Sequence, residues 1–386
     1  MIHRMINPLL TSSFFLFGPR GTGKSTFLRH FFPEDKGVLW IDLLDPEQED
    51  RYSRSPGELI EQLNASPGKI QWVIVDEIQK VPRLLDVVHC GLESTGVRFA
   101  MTGSSARKLK RESTNLLAGR AFIYNLFPLT HRELGSSFDL DSALSYGTLP
   151  GLLNFTSREE KSAFLRAYAL TYLKEEVWAE HLVRKLDPFR KFIEISAQCN
   201  GEIVNFANIA RDVRADIKTV QSYFEILEDT LVGFLLEPFH RSVRKRQRRA
   251  PKYYLFDPGV RRALDRTLTV DLKSGTYAYG KAFEHFIVIE ALRLSAYRQN
   301  DFRFSYLRTK DDAEIDLIIE RPGAPTALLE IKSADRVDER DTKSLVRFAA
   351  DIPGAEAFCL SRDPVARRIG SVIALPWQDG LKELGL

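Results

Sequence analysis

A glycine-rich segment close to the N-terminus constrains the fold of this chain more than any other feature. Residues 14–27 read FFLFGPRGTGKSTF, and within them four residues separate Gly18 from Gly23, Lys24 and Ser25. An apolar run enters this segment, and a run suited to a helix, residues 24–32, leaves it. The spacing is the Walker A pattern of a phosphate-binding loop, and its flanks predict the strand, loop and helix that the pattern needs.

The residue types in this loop suit a bound nucleoside triphosphate. Glycine lets the backbone turn tightly and bring its N–H groups against phosphate oxygens, and the start of the helix adds partial positive charge. We expect Lys24 to reach the β- and γ-phosphates and Ser25 to hold Mg²⁺. A glycine turn that matches the pattern by chance is the alternative. The predicted ATP-binding residues of the loop are Gly18, Pro19, Arg20, Gly21, Thr22, Gly23, Lys24, Ser25 and Thr26.

A second apolar run, WVIVDE at residues 72–77, ends in two acids. It reads as a buried parallel strand with its acids at the C-terminal end, which is the Walker B pattern. Asp76 is expected to hold Mg²⁺ through water, and Glu77 to orient or deprotonate the attacking water. The alternative is an acidic strand end that only caps the next helix.

The following strand, VRFAMTGSS at residues 97–105, ends in hydroxyl side chains. Such a side chain can lie between the two nucleotide-binding strands and sense the γ-phosphate. The candidates are Thr102, Ser104 and Ser105, and we assign Ser104 to the nucleotide site. The alternative for Ser104 and Ser105 is to N-cap a helix predicted over residues 106–117.

The order of these segments resembles the AAA+ ATPases, and in particular a prokaryotic AAA+ group with four short motifs. The motifs are DEIQ at residues 76–79, MTGSS at 101–105, LAGR at 117–120 and FPLT at 127–130. The resemblance runs through most of the chain. It implies an α/β fold in which residues 1–135 form a P-loop NTPase core, with a parallel sheet in the strand order 5-1-4-3-2.

The same resemblance implies a role for Arg120 between subunits. An arginine just before the last strand is where AAA+ proteins place the arginine finger, which completes the nucleotide site of a neighbouring subunit. The protein would then work as a homo-oligomer, a ring or an open spiral, with a hexamer expected. The alternative is that Arg120 is an ordinary surface arginine.

Two segments follow the first domain. Residues 136–187 have a helical pattern and take the place of the helical lid of AAA+ proteins. Residues 188–270 suggest three helices and a pair of strands, as in a winged helix-turn-helix, with the basic run HRSVRKRQRR at the predicted hairpin tip. Basic side chains there suit contact with DNA phosphates, although the run could be a solvated face or a protein docking site. The predicted DNA contacts are Lys218, Thr219, Gln221, Arg241, Arg244, Lys245, Arg246, Arg248 and Arg249.

The C-terminal segment, residues 271–386, carries acids inside apolar strands. Asp316 lies in AEIDLII, and Glu330 and Lys332 lie two residues apart in ALLEIKS, on one face of a strand. With Glu284 in a preceding helix, the pattern resembles the PD-(D/E)xK nucleases and implies their α/β restriction-endonuclease-like fold. The resemblance implies that Glu284, Asp316 and Glu330 bind Mg²⁺ and that Lys332 positions or activates water. Such folds also serve as binding or structural modules, so cleavage stays open.

Composition narrows the class of protein further. The net charge of the 386-residue chain is +3, so any attraction to nucleic acid must come from local patches. The scattered Cys90, Cys199 and Cys359 indicate neither a zinc site nor a disulfide framework. With no apolar run of about 18 residues and no signal peptide, we expect a cytoplasmic protein without a membrane partner.

Three functional hypotheses follow from these features. The first is an oligomeric, ATP-hydrolysing motor that remodels or translocates DNA, including branched or Holliday-junction DNA. The second is an ATP-gated switch that binds a protein partner. The third is an ATP-dependent, metal-dependent endonuclease.

Overall fold

The described part of the chain divides into two compact units. The first is Met1–Leu129 with Asp229–Val232, and the second is Thr130–Glu228 with Gly233–Leu386. The segments predicted as lid, winged helix-turn-helix and C-terminal domain, residues 136–386, therefore lie almost wholly in the second unit, and their finer division stays a prediction. The computed structural model describes residues 2–33, 37–65, 67–104, 109, 117, 119–172, 186–240, 250–309 and 313–386.

A five-stranded parallel sheet forms the centre of the first unit. Its strand order is β2-β3-β4-β1-β5, which confirms the order 5-1-4-3-2 implied by the resemblance. The helix predicted over residues 106–117 lies outside the described residues, apart from single positions. The strands are β1 (Ser13–Phe17), β2 (Val38–Asp42), β3 (Trp72–Asp76), β4 (Arg98–Gly103) and β5 (Ala121–Asn125).

Burial along these strands follows their place in the sheet. All residues of β1 and β3 are buried, as expected for parallel strands that are covered on both faces. The edge strand β5 exposes Phe122 and Ile123. The helices of this unit are α1 (Lys24–Phe31), α2 (Pro46–Arg54), α3 (Glu58–Asn64) and α4 (Leu84–Ser94), and a 3₁₀ turn covers Ile78–Lys80.

Apolar side chains from α3 and α4 cover one face of this sheet. Leu59 and Val88 from the helices join Phe15, Val73 and Phe99 from three strands in one buried cluster. Because β1, β3 and β4 are parallel and paired in register, they end at the same edge of the sheet, where the loops after them begin. That edge is where open α/β sheets bind ligands.

Helices make up the first half of the second unit. The predicted lid pattern over residues 157–184 is helical as far as residue 172, where a π-helical turn ends, and the rest lies outside the described residues. Short 3₁₀ turns cover Gly135–Ser137 and Pro150–Asn154. The helices of this part are α5 (His131–Leu134), α6 (Leu140–Tyr146), α7 (Arg158–Ala167), α8 (Leu186–Gln198), α9 (Phe206–Val213) and α10 (Ile217–Asp229).

A mixed eight-stranded sheet forms the other half of the second unit. Its strand order is β12-β13-β11-β10-β9-β8-β6-β7. The strands are β6 (Gly233–Pro238), β7 (Lys252–Leu255), β8 (Arg303–Arg308), β9 (Glu314–Glu320), β10 (Ala327–Lys332), β11 (Glu356–Ser361), β12 (Arg367–Ile369) and β13 (Val372–Pro376).

The hairpin β6–β7, which the sequence assigned to a wing, is part of this same sheet. β6 pairs with β7 in antiparallel register and with β8 in parallel, at Glu237 and Ser305 and at Pro238 and Tyr306. The hairpin thereby brings residues from before position 255 against the C-terminal strands.

Four further helices pack on this sheet or beside it: α11 (Pro258–Leu264), α12 (Tyr277–Arg298), α13 (Glu339–Asp351) and α14 (Trp377–Glu383). The longest, α12, is buried on most of its faces, including Glu284, His285, Glu290 and Arg293. A helix buried all round belongs to the core rather than the surface, so its charged side chains need partners within the protein. In the described residues, no helix combines the length and apolar character needed to span a membrane.

Candidate functional site

The loop between β1 and α1 has the geometry that its glycines predict. Gly21 and Gly23 have φ angles of 77° and 91°, in the left-handed region that favours glycine. A Cβ atom added to Gly18 would lie only 2.2 Å from the carbonyl oxygen of Leu126. The hydroxyl of Thr22 donates to the carbonyl of Pro19 at 2.8 Å and closes the turn.

Lys24 turns its ammonium group back into this loop. Its side chain is 5% exposed, and Nζ donates to the carbonyl oxygens of Gly18 at 2.8 Å and Pro19 at 3.4 Å. Glu77 Oε1 lies 3.8 Å from the same Nζ. The loop therefore holds a nearly buried positive charge at its centre, next to an acid from β3's end, which suits an anionic phosphate chain.

Thr102 joins the two acids that follow β3. Its hydroxyl donates to the carboxylate of Asp76, which is 2% exposed, and accepts the backbone N–H of Glu77 at 2.9 Å. Glu77 has a φ angle of 59°, so its backbone is held in a conformation that non-glycine residues seldom adopt. Thr102 is one of the three predicted sensor candidates, and in this structure its hydroxyl holds the two acids in place.

Gln79 is a site residue that the sequence reasoning missed. Its Nε2 donates to the Glu77 carboxylate and lies 3.5 Å from Ser104 Oγ, while its buried Oε1 has no hydrogen-bond partner among the described residues. A Cβ on Gly103 would come within 2.8 Å of that Oε1. The available signal was a glutamine two residues after Glu77, in the motif DEIQ.

The remaining predicted nucleotide contacts lie around the loop. Ser25 is half-buried in the first turn of α1, whereas Thr26 and Arg20 are exposed. Ser104 is buried beside Gln79, and Ser105 lies outside the described residues. No side chain caps the N-terminus of α1, where Gly23 is the N-cap residue. The first N–H groups of α1 therefore have no side-chain acceptor, as is usual where the N-terminus of a helix binds phosphate.

Arg120 lies at the opposite edge of the sheet. Ala121 pairs with Ser13 at the start of β1, and Ser12 Oγ donates to the carbonyl of Arg120 at 3.2 Å. With a rise of about 3.3 Å per residue, Arg120 is about 20 Å from the loop along the strand direction. Its half-exposed guanidinium contacts His89 and pairs with Glu93 Oε1 at 2.6 Å. Arg120 therefore does not reach the phosphate loop of its own chain.

The four residues of the nuclease-like pattern come together in the second unit, where β9 and β10 diverge. The antiparallel pairing ends at Leu329 and Leu317, and Asp316 Oδ2 then accepts the N–H of Ile331 at 2.8 Å. Glu330 is 8% exposed and pairs with Lys332 at 2.6 Å.

The acids of this cluster influence the ionisation of one another. Burial raises the pKa of the Asp316 carboxyl well above its usual range, and the charges of Glu284 and Glu330 add to the effect. Burial also raises the pKa of Glu330, against the opposing charge of Lys332. This electrostatic coupling indicates one shared cluster.

A lysine that the sequence analysis did not consider lies inside this cluster. Lys252, on β7, is 1% exposed, and its Nζ contacts Glu314 and lies 3.5 Å from Glu284 Oε1. Tyr254, also on β7, donates its hydroxyl to Glu284 at 2.9 Å. Lys252 and Glu284 are 32 residues apart in the sequence, so no local sequence pattern predicted their contact.

The predicted metal ligands of this cluster have protein partners in this arrangement. Among the residues that the structure describes, no three His, Cys, Asp or Glu side chains are grouped so as to hold a metal ion. In this structure Glu284 is engaged by Lys252 and Tyr254, and Glu330 by Lys332. Coordination of Mg²⁺ by Glu284, Asp316 and Glu330 stays a prediction.

The predicted DNA contacts are described only in part. On α10, Lys218 and Gln221 are exposed, whereas the hydroxyl of Thr219 donates to Asp216 at 2.8 Å as part of the helix cap. The prediction for Arg241, Arg244, Lys245, Arg246, Arg248 and Arg249 falls outside the described residues.

Family comparisons divide the chain in three. Residues 11–135 match a family model described as "AAA domain". Residues 137–271 and 279–379 match two models that are each described as a domain of unknown function, DUF8612 and DUF4143.

Similar proteins are known along the length of the chain. Uncharacterized proteins of Mycobacterium tuberculosis (Rv2008c) and Mycobacterium bovis (Mb2031c) are each 28% identical over 376 residues, which is 95% of this chain and 80% of theirs. An uncharacterized protein of Haemophilus influenzae is 21% identical over 300 residues, 72% of this chain and 73% of its own.

Among solved structures, a Thermococcus gammatolerans assembly of McrB AAA+ hexamers with bound McrC matches at 12% identity. The match covers 49% of this chain and 47% of that one, and the TM-score of 0.20 is too low to assign a fold. The sheet order, the Walker residues and the matched family model together make residues 11–135 similar to AAA-type ATPase domains.

Proposed function

We propose that the first unit hydrolyses ATP with Mg²⁺ and that the chain does so as a homo-oligomer. The observation that carries this proposal is the convergence of Lys24, Asp76, Glu77 and Thr102 at the C-terminal edge of one parallel sheet. A lysine in a glycine loop, an acid that can hold Mg²⁺ and a residue that can orient water are recurring parts of sites for phosphoryl transfer.

Each residue has a distinct task in this reaction. Lys24 binds the β- and γ-phosphates, and the N–H groups at the start of α1 bind the oxygens beside it. Ser25 and Asp76 would hold Mg²⁺, which neutralises charge that develops on the phosphates. Glu77 orients the attacking water and takes its proton, with its backbone fixed by Thr102.

The present contacts describe a resting arrangement of these groups. Lys24 pairs with Glu77, and Gln79 donates to the same carboxylate. A phosphate chain competes for Lys24, because an ammonium that binds two phosphate oxygens is less available to Glu77. Nucleotide binding would in this way release Glu77 for its role as a base.

The Glu77→Gln variant tests hydrolysis separately from binding. The amide cannot accept a proton and no longer pairs with Lys24, so we expect ATP to bind at least as tightly while kcat falls by about 100-fold or more. Fluorescent-nucleotide titration and phosphate release measure the two quantities. Glu61→Gln, an exposed acid on α3, is the matched control and keeps its activity. A Glu77→Gln enzyme with normal turnover would contradict the assignment.

We further propose that ATP hydrolysis acts on DNA through the second unit. The basic run at residues 240–249 and the exposed Lys218 and Gln221 on α10 support this proposal. Contacts to phosphates depend on salt and not on sequence. A variant in which Arg244, Lys245 and Arg246 are replaced by serine should lower DNA affinity by about 10-fold or more at low salt and reduce the slope of log K against log salt by about 3.

The matched control is the loss of three exposed basic residues elsewhere, Lys343, Arg347 and Lys382, which should leave the salt slope unchanged. If the natural protein, the variant of the basic run and the control variant all bound DNA equally weakly, this proposal would be contradicted. The alternative of an ATP-gated switch with a protein partner would then gain, most of all if Glu77→Gln keeps a partner-bound state.

The metal-dependent endonuclease is the hypothesis that the cluster around Asp316 supports least. Its predicted metal ligands have protein partners, and among the described residues no three His, Cys, Asp or Glu side chains are grouped so as to hold a metal ion.

A further inference from the structure

Lys252 is the most deeply buried cation of the second unit's carboxylate cluster. The cluster consists of Glu284, Glu314, Asp316 and Glu330, with Lys252, Lys281 and Lys332. Lys281 and Lys332 lie at the rim, with about a third of each side chain exposed, whereas the side chain of Lys252 is 2% exposed.

Among the residues that the structure describes, the ion pairs of Lys252 are with two of these acids, Glu284 and Glu314. Nζ lies 3.5 Å from Glu284 Oε1, contacts Glu314, and stands 5.5 Å from the ring centre of Tyr306. The buried ammonium therefore lies where the carboxylates of Glu284 on α12 and Glu314 on β9 approach one another.

Three elements build this point around the lysine. β7 contributes Lys252, α12 contributes Glu284, and β9 contributes Glu314 and Asp316. The hairpin β6–β7 joins the sheet beside β8. It thereby places Lys252, which precedes all of these acids in the sequence, next to them. A cluster of carboxylates without a cation would be costly to bury, so some cation has to be present.

We propose that Lys252 is the built-in cation of this cluster and takes the place that a divalent metal would otherwise occupy. The ammonium of Lys252 already lies against carboxylate oxygens of Glu284 and Glu314, and it would repel a divalent ion placed on the same oxygens, because like charges in a poorly solvated site repel strongly. The cluster is consequently closed to Mg²⁺ and Mn²⁺ in the natural protein, and loss of Lys252 opens it. The inference does not depend on ATP hydrolysis by the first unit.

Binding of Mn²⁺ alone, without nucleotide, tests the proposal. Free Mn²⁺ is measured by electron paramagnetic resonance on the full chain, with Asp76→Asn present in every sample to remove metal binding at the phosphate loop. With Lys252 in place, we expect no saturable binding up to about 1 mM Mn²⁺, the range of weak carboxylate sites. With Lys252→Met, which keeps the length of the side chain and loses its charge, we expect binding at least about 10-fold tighter.

Two further substitutions locate the site and control for charge. Adding Asp316→Asn to Lys252→Met should abolish the gained binding. Lys343→Met, which removes an exposed lysine on α13, should gain none. Lys252→Gln serves as a second variant if Lys252→Met does not fold.

Two results would overturn the proposal. One is saturable Mn²⁺ binding with Lys252 in place that Asp316→Asn removes, and this measurement needs no Lys252 variant. The other is a folded Lys252→Met or Lys252→Gln protein that binds Mn²⁺ no better than the protein with Lys252.

Discussion

His285 links the stability of the second unit to pH. It is 2% exposed on α12, and its Nε2 donates to the carbonyl of Leu255 at 2.6 Å. Burial lowers the pKa of its imidazole from 6.5 to about 3, and the charges of Arg261 and Arg293 contribute. The unfolded chain therefore binds a proton below about pH 6.5 that the folded chain does not accept until about pH 3. The contribution to stability is present above pH 6.5 and is lost as the pH falls.

We expect the free energy of unfolding to fall by about 1.4 kcal/mol per pH unit between pH 6 and pH 4.5 on account of this group. His285→Gln should be less stable at pH 7, where the packing is disturbed, but should lose less stability over that interval. Urea unfolding at a series of pH values measures both. His3→Gln, which changes an exposed histidine, should keep the slope of the natural protein. Equal slopes for all three proteins would contradict the prediction.

Residues that act within a short stretch of chain could be predicted, and residues that act across the chain could not. The loop spacing located Lys24, and the acids after an apolar run located Asp76 and Glu77, because β1 and β3 end at the same edge of one sheet. Gln79 and Lys252 were missed, since a buried amide or ammonium is recognised only by its distant partners.

At the scale of elements, the phosphate loop depends on a close approach between two chain segments. Gly18 follows β1, Leu126 follows β5, and a Cβ at Gly18 would lie 2.2 Å from the Leu126 carbonyl oxygen. Gly18→Ala must displace the loop or the strand exit, so we expect a loss of about 1–3 kcal/mol in stability and about 10-fold in nucleotide affinity. Urea unfolding and fluorescent-nucleotide titration measure the two effects.

Gly57→Ala is the matched control for this change. Gly57 precedes α3 with a φ angle of −64°, and a Cβ there meets nothing within 4 Å. Alanine at such a position is expected to be neutral or to stabilise by about 0.4–1 kcal/mol through the unfolded state. If Gly18→Ala behaved like Gly57→Ala, the close approach would have no role in the loop.

The positions of the strands were predicted better than the pairing between them. The apolar runs gave the strands of the first unit to within two residues, and the resemblance gave their order, because buried parallel strands have a strong local signal. The hairpin β6–β7 was expected as a separate wing, but its strand β6 pairs with β8, where Glu237 lies opposite Ser305, 68 residues further along the chain. Pairing between strands so distant is set by the packing of the whole sheet.

At the scale of the whole molecule, the question is whether one chain carries a complete nucleotide site. Arg120 lies at the edge of the sheet opposite the phosphate loop, about 20 Å away along the strands. Its ion pair with Glu93 joins two half-exposed side chains, and such pairs contribute at most about 1 kcal/mol. Breaking this ion pair therefore costs little free energy, and Arg120 can change partners when a second copy approaches.

If Arg120 completes the site of a neighbouring copy, two inactive variants should restore activity when they are mixed. Arg120→Ala keeps its phosphate loop, and Lys24→Ala keeps its arginine, and each alone should lose about 10³-fold in kcat. In equal mixture, roughly a quarter of the interfaces in a closed ring join an intact loop to an intact arginine, so roughly a quarter of the natural activity should return. Phosphate release after co-refolding or subunit exchange measures the recovery.

The controls separate a role between subunits from a role in folding. Arg54→Ala removes an exposed arginine on α2 and should stay active by itself, and Glu93→Gln removes the resting partner of Arg120 without loss of activity. An Arg120→Ala protein that is folded and inactive, and that Lys24→Ala subunits do not rescue, would mean that the arginine acts within its own chain. The position of Arg120 makes that outcome hard to reconcile with the parallel register of β1 and β5, since no side chain spans the length of a strand.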